Sequence, residues 1–155
     1  MALGFPTETL TASNPVAQSV TSFPDVIQEG ETATYSIQLD DGAGGVIANT
    51  DFTAILLTLV DEETFAVINL RNSQDVLGAG KLGDNNVVFS VAALLTWSLQ
   101  PLDTLVVDPT GTKKYENHRA IFRFEYDLGL GAGPEVAIHE VRLVVKNAFS
   151  PITPL

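Results

Sequence analysis

At 155 residues, with 45% hydrophobic content and a net charge of −11, the chain suits one globular domain with a sizeable core. That acidity argues against nucleic acid and anionic membranes as partners, since both select clustered Lys and Arg. No cysteine is present, which removes disulfides and thiolate metal sites, and no run of about 18 apolar residues could span a bilayer.

Residues 1–16 are dominated by Thr, Ser, Asn and Pro, with Leu3, Phe5 and Leu10 scattered among them. They predict an extended N-terminal arm without regular structure, either a loose terminus or an arm whose apolar residues insert into a neighbouring subunit. From residue 17 the hydrophobic period becomes two. Val20 and Phe23 suggest an edge strand. Tyr35, Ile37 and Leu39 alternate with Thr34, Ser36 and Gln38, the pattern of a half-buried strand. Asp40, Asp41 and Gly42 then supply turn chemistry. Residues 53–60 read as a central strand, and residues 61–64 as a tight acidic turn returning into a partner strand over residues 65–70. A Gly- and Asn-rich loop covers residues 78–86. Val87, Phe89 and Val91 share one strand face, and Leu95, Trp97 and Leu99 another; residues 92–95 are also compatible with a short helical turn.

The last third has the clearest pattern. His118, Ala120, Phe122, Phe124 and Tyr126 fall on one face of a strand, with Arg119, Ile121, Arg123 and Glu125 on the other. After a Gly-rich turn, Val141, Leu143 and Val145 return inward, with Glu140, Arg142, Val144 and Lys146 outward. Val136 and Ile138 are out of phase with Val141, which predicts a bulge near His139. Seven or so short strands without a long helix describe an all-β fold, a single antiparallel immunoglobulin-like β-sandwich over residues 17–148, with a short C-terminal tail at 149–155.

Local chemistry is sparse. Residues 78–83 match G-x-G-x-x-G, but a strand pattern follows where nucleotide binding requires a helix N-terminus. His118 and His139 could face each other across the last hairpin, with Glu116 and Glu140 the nearest further ligands; isolated strand histidines are commonly structural. The acidic turns lack the spaced carboxylates of a calcium loop. No catalytic residue, metal ligand or cofactor is expected.

Charge is distributed unevenly. Residues 1–70 carry ten acids and no base; residues 71–155 carry nine acids and all eight bases, so the halves stand at −10 and −1. Arg119, Arg123, Arg142 and Lys146, half of the basic charge, project from the outward face of the last hairpin. They form either a solvated face paired with Glu125 and Glu140 or a docking stripe for an acidic neighbour. With Leu3, Phe5 and Leu10 they are the candidate protein-interface residues.

Residues 55–64 (Ile-Leu-Leu-Thr-Leu-Val-Asp-Glu-Glu-Thr), then Val67-Ile68-Asn69, Arg71-Asn72 and residues 74–77, resemble Ig-like structural proteins of tailed bacteriophages. So do Thr96-Trp97-Ser98-Leu99-Gln100-Pro101, Asp103, Val106-Val107-Asp108, residues 118–126 and the return strand over 139–147. The resemblance covers about two-thirds of the chain and contains no catalytic motif. It implies a non-enzymatic virion component made in the host cytoplasm: a capsid-decoration, neck or tail-adaptor protein. The partners would be capsid, portal or tail proteins and further copies of the chain in a homo-oligomer, with no nucleic acid and no membrane. An alternative reading is a host-receptor or glycan-binding module on the virion surface, with Phe52 and Tyr115 as its loop aromatics. A hydrolase has no convergent nucleophile, base and oxyanion donors in its favour.

Overall fold

A computed structural model of the chain describes residues 3–12, 26–78, 81–108, 113–129, 131 and 133–148. Two sheets face each other, with nearly all strand pairs antiparallel. The first runs β1-β3-β7-β6, where β1 is Gly4–Ala12, β3 Ala33–Asp40, β6 Val87–Phe89 and β7 Leu94–Leu99. The second runs β2-β9-β8-β4-β5, where β2 is Ile27–Gln28, β4 Phe52–Asp61, β5 Gln74–Asp75, β8 Tyr115–Tyr126 and β9 Glu135–Lys146. Among the described residues the β2–β9 pair alone is parallel. No helix among the described residues is long and apolar enough to cross a membrane.

Period-two alternation selects the faces that meet. Tyr35, Ile37 and Leu39 of β3 and Leu95, Trp97 and Leu99 of β7 are buried against Phe122 and Phe124 of β8 and Leu143 of β9. Aromatic pairs join the sheets. Tyr35 stacks on Phe122 at 5.8 Å, Trp97 meets Phe122 edge-on at 5.9 Å, and Phe52 meets Phe89 edge-on at 4.9 Å. Such pairs add roughly 0.5–1.5 kcal/mol each beyond the area they bury.

The N-terminal arm is not strandless. Residues 4–12 form β1, antiparallel to β3 in the register Thr7↔Gln38 to Ala12↔Ala33. Pro6 sits where that register shifts, between Gly4 and Thr7, on the outermost strand; this is where a residue without an N–H is tolerated. Leu3 and Leu10 are buried in the chain's own core, and Phe5 stacks on His139 at 4.4 Å, so these three residues face inward rather than toward a neighbour. Glu8 reaches across from β1 to both sheets. It accepts a 2.6 Å hydrogen bond from the Tyr35 hydroxyl and lies 3.0 Å from His139 Nε2. Burial, then this carboxylate, pushes the Tyr35 phenol far above its ordinary range, so it stays a donor.

Three further expectations change. Residues 65–70 are not a strand: only Val67 bridges β4, at Val60, and Phe65, Asn69 and Leu70 have positive φ. The expected bulge near His139 is absent, because β8 and β9 pair one-to-one from Tyr115↔Lys146 to Tyr126↔Glu135. Val136 and Ile138 simply face outward, while the inward positions they seemed to vacate are Ala137, packed against the core, and His139, stacked on Phe5. Val91 lies exposed in the turn between β6 and β7, off the face shared by Val87 and Phe89. The suggested strand at Val20 and Phe23 lies outside the described residues.

Candidate functional site

The outward face of the β8–β9 hairpin carries the predicted cations, but a residue from the acidic half occupies its centre. Glu62, in the turn after β4, accepts from Arg142 Nε at 2.8 Å and Nη2 at 2.6 Å, and from Arg119 Nη2 at 3.2 Å. Arg119 also lies 3.8 Å from Glu140, and Arg123 lies 4.0 Å from Glu125. Lys146 makes no ion pair among the described residues. Glu63 meets Lys113 in the same turn. The two unequal halves of the sequence therefore neutralise each other within one molecule at several points, which weakens the reading of this stripe as a bare docking surface.

Hydrogen bonds from Arg142, opposed by partial desolvation and helped by the charges of Arg142 and Arg119, hold the Glu62 carboxyl below its ordinary value of 4.5. A depressed carboxyl contributes stability above 4.5 and loses it as pH falls through the folded-state value. Glu62→Gln should therefore cost roughly 0.5–1 kcal/mol near neutrality and flatten the acid limb of the stability curve. Parallel acid limbs for the two proteins in urea titrations would refute this role.

Beside the turn lies a cavity of about 210 Å³ lined by Asp61, Glu62, Glu63, Lys113, Tyr115, Glu116 and Asn117. Asp61 and Glu116 from this lining, together with His118, are buried with potential ligand atoms within 4.8 Å of one another, the donor set of a divalent cation site. Their hydrogen bonds give them a different task. Glu116 accepts from Val107 N at 2.7 and 2.9 Å, from Asp108 N at 2.6 Å, and meets His118 Nε2 at 2.7 Å. Four contacts fill the lone-pair directions of one carboxylate. Asp61 Oδ2 caps Thr64 through its N–H and hydroxyl. The group works as a brace that fixes Val107 and Asp108 onto β8. His118 Nδ1 is buried with no partner among the described residues. The two histidines do not face each other: His118 is opposite Leu143, and His139 is opposite Phe122.

A second brace is absent from the sequence reading. Arg71 and Asp103 are both buried and meet twice, Nε to Oδ1 at 2.5 Å and Nη2 to Oδ2 at 3.1 Å. Asn69 Nδ2 and the Gln100 N–H, each at 2.8 Å, also donate to Asp103. Arg71 donates onward to Gln74 at 2.7 Å, and its guanidinium lies 5.5 Å from the centre of the Trp97 ring. The loop after β4 and the loop after β7 are thereby locked together. Between them runs an apolar groove of about 190 Å³, lined by Val67, Ile68, Asn69, Leu102, Leu105, Val106 and Val107. Phe65, 67% exposed, and Leu70, 89% exposed, belong to the same loop. Both are bulky apolar side chains held at positive φ and open to solvent. The signal available in sequence was an arginine placed amid apolar and acidic residues, without an obvious surface role.

The remaining motifs are structural. In the glycine-rich loop, a Cβ on Gly78 would stand 2.5 Å from the Gly83 carbonyl oxygen, and one on Gly83 would stand 2.3 Å from that of Val87. Both glycines permit close backbone approach, and strand β6 follows them. Phe52, considered above as a glycan-facing aromatic, is wholly buried, whereas Tyr115 lines the cavity beneath Lys114. No protein-family model and no curated protein matches the chain.

Proposed function

We propose that this protein is a non-enzymatic structural component of a tailed-phage virion, an Ig-like sandwich working through protein–protein contacts in a capsid-decoration, neck or tail-adaptor role. The observation that carries the reading is the strand order. β1-β3-β7-β6 and β2-β9-β8-β4-β5 correspond to the A-B-E-D and A′-G-F-C-C′ orders of an immunoglobulin domain whose first strand divides between sheets. The segments that resemble phage Ig-like proteins fall on β4, β7, β8, β9 and the two braced loops of that arrangement. The exposed apolar end formed by Phe65, Val67, Leu70, Leu102 and Leu105 supplies a surface suited to association with capsid, portal, tail or identical subunits. The polar cavity favours this reading over catalysis, since Glu116 is bound to backbone N–H groups.

Mass spectrometry and immunogold microscopy of purified particles from cells carrying the gene test the proposal. The chain should be found on particles in a fixed, multiple copy number at one location. Its recovery only in the soluble fraction, with particles of normal composition lacking it, would overturn the reading.

A further inference from the structure

We propose that the outward face of the β1-β3-β7-β6 sheet docks on the same face of a second copy of the chain, forming a twofold dimer. This surface is separate from the apolar end described above. The inference stands apart from the virion reading, because the purified chain alone tests it.

Alternation and register build the face. Thr9 of β1, Ser36 of β3, Thr96 of β7 and Val88 of β6 form one row across all four strands. Thr11, Thr34 and Ser98 form a second row, and Thr7, Gln38 and Leu94 a third. All of these side chains are exposed or half-buried. Ser36 Oγ donates to Thr96 Oγ1 at 3.4 Å, and Gln38 Nε2 donates to the Ala92 carbonyl at 2.8 Å. Val88 and Leu94, with Val91 in the turn joining their strands, make an exposed apolar corner.

None of the three rows contains a charge, although the chain has 19 acidic and 8 basic residues. At the margin, the Asp40 carboxylate is occupied by the Gly42 N–H at 2.8 Å. The other sheet uses the same alternation differently, since its outward face carries Arg119, Arg123, Glu140 and Arg142. This pattern selects the occupant. A second chain of charge −11 approaching elsewhere brings carboxylates together, whereas this face keeps them at the rim. Nucleic acid finds no cation in the rows, and a glycan finds no aromatic ring to stack on. A hydroxyl both donates and accepts, so an identical face complements it. Threonine methyls and the two apolar corners supply the area withdrawn from water. Contact between identical patches closes at two copies, with the two sheets stacked about 10 Å apart. A face only four strands wide falls at the small end of specific interfaces, which sets the expected affinity in the micromolar range.

Sedimentation equilibrium of the full chain should show a monomer–dimer equilibrium. Thr9→Glu with Ser98→Glu places like charges on both facing sheets and should weaken the dimer at least about a hundredfold. Both positions are exposed on the sheet surface, so this variant should melt with the parent. Mixing it with a Thr9→Lys, Ser98→Lys chain should restore a dimer, which also shows that both variants remain folded. Leu70→Glu, at the apolar end, should leave the equilibrium unchanged. A parent chain that stays monomeric up to about 1 mM would overturn the proposal. So would a dimer that survives the two glutamates, a mixture that fails to pair, or a dimer lost through Leu70→Glu.

Discussion

Arg71→Leu should destabilise the protein by about 3–5 kcal/mol, because it leaves the Asp103 carboxylate buried with its main partner gone. Asp103 is fully inaccessible and takes four hydrogen bonds, two of them from this one guanidinium. At roughly 2–4 °C per kcal/mol for a domain of this size, the melting temperature should fall by about 6–20 °C. The double variant Arg71→Met, Asp103→Leu is the informative companion. Apolar replacement of a buried ion pair is commonly near neutral, so most of the lost stability should return. Asn69 Nδ2 and the Gln100 N–H would then lack their acceptor, which keeps recovery incomplete. Thermal denaturation of the three proteins decides the matter. A single variant that melts with the parent would show the pair to be dispensable.

Removal of residues 1–12 should do greater damage. Leu3 and Leu10 each lose the roughly 1.5–3 kcal/mol that burial of such a side chain contributes. The Tyr35 hydroxyl loses the Glu8 carboxylate, a charge-assisted bond worth about 1.5–3 kcal/mol. β3 also becomes an open edge, its ladder groups free to pair with another chain. A combined loss on this scale is comparable with the whole stability of an ordinary domain, about 5–15 kcal/mol. The truncated chain should therefore aggregate or lose its cooperative melt, and a synthetic peptide of residues 1–12 should restore both solubility and the transition. Glu8→Ala alone should give a smaller loss through Tyr35 and His139. A truncated chain that melts normally as a monomer would return these residues to the status of a free arm.

The two results bear on where the proposed assembly contacts can lie. Three of the candidate interface residues, Leu3, Phe5 and Leu10, close the chain's own sandwich, and three of the four hairpin cations are paired within the molecule. The end set by the loops after β4 and β7 exposes Phe65, Val67, Leu70, Leu102 and Leu105, the contact surface of the proposed function.

Periodicity alone placed β3, β4, β7, β8 and β9, along with Trp97, Tyr35, Phe122 and Phe124 in the core, because which face a strand residue takes is a local property of the pleat. Turn chemistry likewise marked the breaks after Asp40 and before Val87. Pairing is not local. Thr-rich β1, with Pro6 at its register shift, carries too little alternation to be read as a strand until β3 is beside it. Glu62 and Arg142 are 80 positions apart, Glu8 and His139 are 131 apart, and Arg71 and Asp103 are 32 apart; only the folded chain brings them within hydrogen-bonding reach. The amino-acid order by itself therefore determined an all-β molecule and most of its inward faces. Which charges cancel, which end stays apolar and open, and what the first twelve residues do were decided by tertiary contacts that close large loops.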